Sequence, residues 1–211
     1  MKSEQNVFVG ISLQNKYLDE ARVSEFLMVA KRDFRAKNLC FLIADEIDFI
    51  NRRVFSRDNE NSIRRKVEER ALELIELIQE GLKKGSDRDV NVHFCRWPDM
   101  LTAEMWDLTM QTEQLFHTNQ KFRERVAFIA KGYSENRIKP LKAYEEHYLC
   151  QYILAEIPVI VRGIDFNGLK FRSMVYPVPE RFALDGLIDL LLSGEFGEFS
   201  YSGDRCQVIK V

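Results

Sequence analysis

No stretch of the sequence approaches the roughly 18 consecutive apolar residues of a membrane-spanning helix, and the opening Met1-Lys2-Ser3-Glu4-Gln5-Asn6 lacks the long apolar core of a secretory signal. A cytoplasmic protein without a membrane partner is expected. Cysteine is scarce. Cys40, Cys95, Cys150 and Cys206 stand far apart in 211 residues, and Cys40 and Cys95 fall inside apolar runs, which excludes a disulfide framework and a clustered zinc site in favour of buried thiols. The three histidines, His93, His117 and His147, lack metal-ligand spacing and are not tied in sequence to a nucleophile, so no metal and no cofactor is expected. A Gly-rich phosphate loop, a His-Ile-Gly-His-type signature and a nucleophile-elbow sequence are also missing. A formal net charge of -2 excludes wholesale coating of nucleic acid but not a local basic patch. Without repeats, linkers or low-complexity tracts, residues 1–211 are expected to form a single domain and to act as a monomer.

What is present is an ordinary globular composition, 45% hydrophobic and 30% charged, enough for one proper core. Strand-like and helix-like segments alternate, the pattern of an α/β, Rossmann-like fold with a mainly parallel sheet and helices on both faces. Val7 to Ile11 reads as a first buried strand and Leu39 to Ala44 as a second. Between them a helix from about Tyr17 to Lys37 carries Val23, Phe26, Leu27, Ala30 and Phe34 on one face. Polar Asn51 to Asn61 leads into a long helix striped by Ile63, Val67, Ala71, Leu74, Ile78 and Leu82 and ended by Gly81 and Gly85. Val90 to Arg96 is a third strand, and Met100 to Lys131 is helical with a break near Thr118-Asn119. Lys142 to Glu156 is a helix that Pro158 is expected to stop. Val159 to Arg162 and Phe171 to Tyr176 read as strands, and Arg181 to Leu192 as a last helix with a weakly structured tail.

Three groups of residues stand out. Gly10-Ile11-Ser12 places a serine at the carboxyl end of the first strand, where open α/β sheets put their ligands; most serines in that position simply cap the next helix. Tyr144, Tyr148, Tyr152 and Glu156 recur every four residues and so share a helical stripe. Hydroxyls and a carboxylate need partners when buried, so the stripe suits a polar pocket wall as readily as a half-buried helix face. Tyr176-Pro177 ends a late strand. The pair Asp45-Glu46 reads as a helix N-terminus and not as an active-site pair. Between Arg52 and Arg70 the chain carries a local net charge of +3 from Arg52, Arg53, Arg57, Arg64, Arg65, Lys66 and Arg70 against four carboxylates. Taken alone this is an ordinary solvated helix face.

Together Gly10-Ile11-Ser12 with Asn15, Leu42-Ile43-Ala44-Asp45-Glu46, Tyr152 through Pro158, and Tyr176 resemble the cyclodipeptide synthases over about Val7 to Pro177. That resemblance implies a domain like the catalytic domain of class I tyrosyl- and tryptophanyl-tRNA synthetases and an enzyme that joins two aminoacyl-tRNAs into a 2,5-diketopiperazine. It also implies that Ser12 is the nucleophile that accepts the first aminoacyl group, that Tyr152 and Glu156 hold its ammonium, and that Tyr176 positions the intermediate and relays a proton during cyclisation. Phe8, Gly10, Val159 and Met174 would line the first aminoacyl pocket, Asn15 would support it, and Arg52, Arg53, Arg64, Arg65, Lys66 and Arg70 would hold tRNA. Asn15 together with Tyr176-Pro177 departs from the family pattern, in which those two features usually mark different branches. A serine hydrolase on an α/β sheet and a non-catalytic tRNA-binding relative of the synthetases remain the alternatives.

Overall fold

The computed structural model describes residues 5–15, 18–84, 89–132, 142–176, 184–197 and 199–210. Five parallel strands form one sheet in the order β3-β2-β1-β6-β7, and β4 (Ile164–Phe166) pairs antiparallel with β5 (Leu169–Phe171) beside it. β1 (Asn6–Ile11) lies between β2 (Asn38–Ile43) and β6 (Ser173–Tyr176), in register Val9↔Phe41 on one side and Val9↔Val175 on the other. β3 is Asn91–Arg96 and β7 Gln207–Lys210. The helices are α1 (Glu20–Phe34), α2 (Asp45–Phe55), α3 (Glu60–Lys84), α4 (Ala103–Thr118), α5 (Gln120–Gly132), α6 (Ala143–Arg162) and α7 (Asp185–Leu192). This is the expected α/β, Rossmann-like arrangement. Among the described residues no helix is long and apolar enough to cross a membrane.

The two-residue period of the central strands explains why the sheet is covered twice. Val7, Val9 and Ile11 of β1, with Leu39, Phe41 and Ile43 of β2, point into a core shared with α1 and α3, while Phe8, Cys40 and Leu42 point to the opposite face. Val7, Phe8, Val9 and Ile11 have no accessible surface. Each contributes about 1.5–3 kcal/mol by leaving water. The stripe of α3 lies on the first of these faces, with Gly81 inside the helix: a Cβ there would come within 3.2 Å of the Glu20 backbone, so the glycine lets α1 and α3 approach.

Three expectations about elements change. α6 does not stop at Pro158 but runs to Arg162, so Val159 to Arg162 is helical and not a strand. Loss of one helical hydrogen bond costs about 3 kcal/mol; every residue from Ile157 to Arg162 is buried, and that packing outweighs it. The polar stretch Asn51 to Asn61 is not all loop: it begins inside α2, whose Ile47, Phe49 and Val54 are buried, and ends inside α3. The tail contains β7, which pairs with β6 from Ser173↔Gln207 onward. The break at Asn119 between α4 and α5 is as expected, and Asp45 does begin a helix. Tyr17, Gly85, Pro177 and Arg181 lie outside the described residues.

Asp45 is 3% exposed and ties three elements together. Its carboxylate accepts from the Trp97 backbone N–H at 3.1 Å and from Arg96 Nε at 2.6 Å, and the Arg96 guanidinium makes two further bonds, at 2.7 and 2.6 Å, to Glu68 of α3. Hydrogen bonding to Glu68, with Asp45 adding to it, holds the Arg96 pKa above its ordinary value. Arg96→Met strands a buried carboxylate and is expected to lower stability by about 2–3 kcal/mol, read as a shifted midpoint in urea denaturation.

Candidate active site

β1 delivers its carboxyl end at the point where the strand order reverses, because β2 lies on one side of it and β6 on the other. Crevices outside such switch points are where open α/β sheets bind ligands. The Asn15 N–H donates to Ser12 O at 3.1 Å, closing a tight turn that leaves Ser12 exposed, and the Gln14 N–H reaches Ser12 Oγ at 3.4 Å. Tyr176 ends β6 next door. Gly10 has a steric role: a Cβ there would sit 3.0 Å from the terminal methyl of Met174, so the glycine lets that side chain lie across β1.

The opposite wall is α6. Because the helix continues past Pro158, Tyr152, Glu156, Val159 and Ile160 fall at i, i+4, i+7 and i+8 on one face. The tyrosine stripe grades from solvent inward: Tyr144 is 53% exposed, Tyr148 is half-buried and accepts a 3.1 Å hydrogen bond from Arg53, and Tyr152 and Glu156 reach the cavity. Part of the Glu156 side chain remains accessible, but its Oε2 is enclosed and has no hydrogen-bond partner among the described residues. Burial pushes its pKa up to about 7, a shift that a hydrogen bond from Tyr152 only partly offsets.

Between these walls lies a cavity of about 340 Å³. It brings together Ser12, Tyr152, Glu156 and Tyr176 with Gly10, Asn15, Val159 and Met174. Phe8 is not on its surface: the side chain has no accessible area and packs in the cluster that includes Val159 and Met174, on the far side from solvent. Six lining residues were not foreseen as part of the site, namely Gln14, Leu42, Ala44, Ile47, Trp97 and Ile160. Trp97 could have been found from its place just beyond the third strand's carboxyl end; Ile160 could not, once Pro158 was taken as a helix stop.

The basic residues divide. A second hollow of about 510 Å³ adjoins the first through Gln14 and Asn15 and has Arg52 and Arg70 on its rim with Phe55. Arg52 bonds Asp48 at 2.5 Å, and Arg70 bonds Glu73 at 2.8 Å. Arg53 lies over the Tyr148 ring and Arg64 over Phe49, 4.0 Å from its centroid. Lys66 pairs with Asp58 at 2.7 Å. Arg65, 71% exposed, has a looser 3.8 Å pairing with Glu69.

The family model described as cyclodipeptide synthase matches residues 1–191. Among solved structures, the chain resembles AlbC, a cyclodipeptide synthase from Streptomyces noursei, at 16% identity and TM-score 0.66, covering 99% of this chain and 96% of that one. A Mycobacterium tuberculosis protein, described as demonstrating that cyclodipeptide synthetases are related to type I tRNA synthetases, gives 13% identity and TM-score 0.69 over 99% and 83%. A cyclodipeptide synthase from Candidatus Glomeribacter gigasporarum bound to Phe-tRNAPhe gives 15% and 0.61 over 97% and 91%. No curated protein sequence matches.

The raised Glu156 pKa has a stability consequence. The folded protein keeps a proton that the unfolded chain releases near pH 4.5, so this group's contribution is fully present below that pH and is lost as pH rises through about 7. Glu156→Gln is therefore expected to be more stable than wild type at pH 8, by up to about 3 kcal/mol, and to lose that advantage towards pH 4.5. Melting curves across that range check it.

Proposed function

The chain belongs to the cyclodipeptide synthase family, and from that premise we propose that it joins two aminoacyl groups, each delivered on tRNA, through an ester on Ser12. The observation that carries this reading is the placement of an enclosed, near-neutral carboxyl, Glu156, in the same cavity whose mouth holds Ser12. The Glomeribacter relative bound to Phe-tRNAPhe supports aminoacyl-tRNA as the substrate class.

In the first half-reaction Ser12 Oγ attacks the aminoacyl carbonyl. The new serine ester replaces the ester to the tRNA ribose, whose oxygen leaves with the serine proton. One ester replaces another, so the step is close to isoenergetic and rests on positioning more than on a strong base. The first ammonium comes to rest against Glu156 and Tyr152, where a charge-assisted hydrogen bond anchors it. Its arrival draws Glu156 to the carboxylate form, since an adjacent positive charge lowers a carboxyl pKa. Facing the ammonium, that carboxylate can then take its proton as the amine becomes the nucleophile. The freed amine attacks the second aminoacyl-tRNA, forming a peptide bond and releasing the second tRNA, with the dipeptide still on Ser12. The second amine finally attacks the Ser12 ester, closing the six-membered ring and returning the serine hydroxyl; Tyr176 relays the proton. Gly10, Val159 and Met174 give the first aminoacyl group an apolar seat.

We place the tRNA on the side of Arg52 and Arg70, whose hollow opens beside the Ser12 turn, with Arg53, Arg64, Arg65 and Lys66 extending the surface along α2 and α3.

Ser12→Ala is expected to abolish both the covalent aminoacyl-enzyme and the diketopiperazine while changing stability by less than about 0.5 kcal/mol; intact-protein and small-molecule mass spectrometry after incubation with charged total tRNA read both, and product at near wild-type rate would remove Ser12 from the mechanism. Arg65→Glu should weaken tRNA binding about tenfold at low salt and flatten the slope of log affinity against log salt. Filter binding across a salt titration measures it, and an unchanged slope moves the tRNA surface away from α3.

A further inference from the structure

A nucleophile on a surface turn needs something to hold it, and the turn at Ser12 is held from beneath by a carboxylate that belongs to neither the cavity nor the sheet. Asp48, on the first turn of α2, is 2% exposed. One of its oxygens accepts from the Gln14 side-chain amide at 2.7 Å and the other from Arg52 Nε at 2.5 Å. Gln14 is the residue whose backbone N–H reaches Ser12 Oγ at 3.4 Å. On the other side, Arg70 Nε donates to the carbonyl of Leu13 at 3.3 Å. The Ser12-Leu13-Gln14-Asn15 turn is thus tied down at two consecutive residues, to α2 through Asp48 and to α3 through Arg70.

The geometry points to Asp48 as the positioning residue of the reaction: acting through Gln14, it fixes the backbone that orients the Ser12 hydroxyl. This rests on the reading of Ser12 as nucleophile. A surface turn samples several backbone states unless its bonds are anchored to buried structure, and acyl transfer between esters depends chiefly on placement. A buried carboxylate at the start of a helix is a stiff anchor, because the helix N-terminus and two donors stabilise its charge. Arg52 and Arg70, the cations on the rim of the adjoining hollow, are members of the same clamp. Phosphate contacts there and the orientation of the hydroxyl are therefore coupled.

The test is single-turnover transfer from total tRNA charged with radiolabelled amino acids to wild type and variants, acid-quenched and read as ester on Ser12 at saturating and sub-saturating enzyme. Asp48→Ala should slow transfer at saturation about tenfold to a hundredfold while leaving the half-saturating concentration within about twofold, because positioning and not binding is lost. Asp48→Asn offers one oxygen to Arg52 and an amide to a turned-over Gln14 side chain, so both bonds persist and transfer stays within about threefold of wild type. Gln14→Ala should match Asp48→Ala, and the double variant should be no slower than either. Transfer by Asp48→Ala at wild-type rate, Asp48→Asn as slow as Asp48→Ala, or effects that multiply in the double variant would each overturn the assignment. If melting curves show that Asp48→Ala does not fold, Gln14→Ala decides: slow transfer supports the clamp and wild-type transfer overturns it. Absence of a Ser12 ester on the wild-type enzyme removes the nucleophile reading and this one together; an ester formed equally fast by all variants removes only this one.

Discussion

Burial of β1 on both faces is the constraint from which the site follows. Its side chains face helices above and below, and β2 and β6 take its backbone hydrogen bonds on either side. A strand so enclosed has only its ends for chemistry. At the carboxyl end the sheet order reverses, and the cavity lined by Ser12 and Tyr176 opens there. The cavity is therefore a product of topology, and its residues need only supply chemistry to a space the sheet already provides.

Three buried carboxyl groups show how one fold assigns different tasks to the same functional group. Asp45 has an arginine and a backbone N–H, and Asp48 has an arginine and an amide. Both are anchors whose charge is met. Glu156 has a tyrosine hydroxyl and one oxygen with no partner among the described residues, and its proton affinity rises accordingly. A charge poorly met inside a protein is a cost to folding, and the group that bears it lines the cavity.

Much of the fold was legible because its patterns are local. Alternation in Val7 to Ile11 and Leu39 to Ile43 and the stripe of α3 require no knowledge of partners. The extent of α2 and the passage of α6 through Pro158 were not legible, since both are decided by what packs against them. The same division runs through the site. Ser12, Tyr152, Glu156 and Tyr176 stand at strand ends or on a regular helical spacing, and a family resemblance links them. Trp97 and Asp48 carry no such mark: Trp97 becomes a wall because β3 ends beside α2, and Asp48 becomes an anchor because α2 passes under the turn. The cluster of cations was readable as a charge excess, but which carboxylate meets which cation was visible only in space.

The pairing of β1 with β6 also bears on how the protein acquires its structure. Gln5 and Ser173, bonded side chain to side chain where these strands begin, are 168 residues apart in the chain. During synthesis, β1 and β2 can pair early, but the other edge of β1, with Val7, Phe8 and Val9 behind it, stays open until β6 has emerged. Contacts that distant slow folding, and an apolar strand with an open edge is a template for association with other chains. The strand that presents the serine is thus also a segment open to misassembly while the chain is being made.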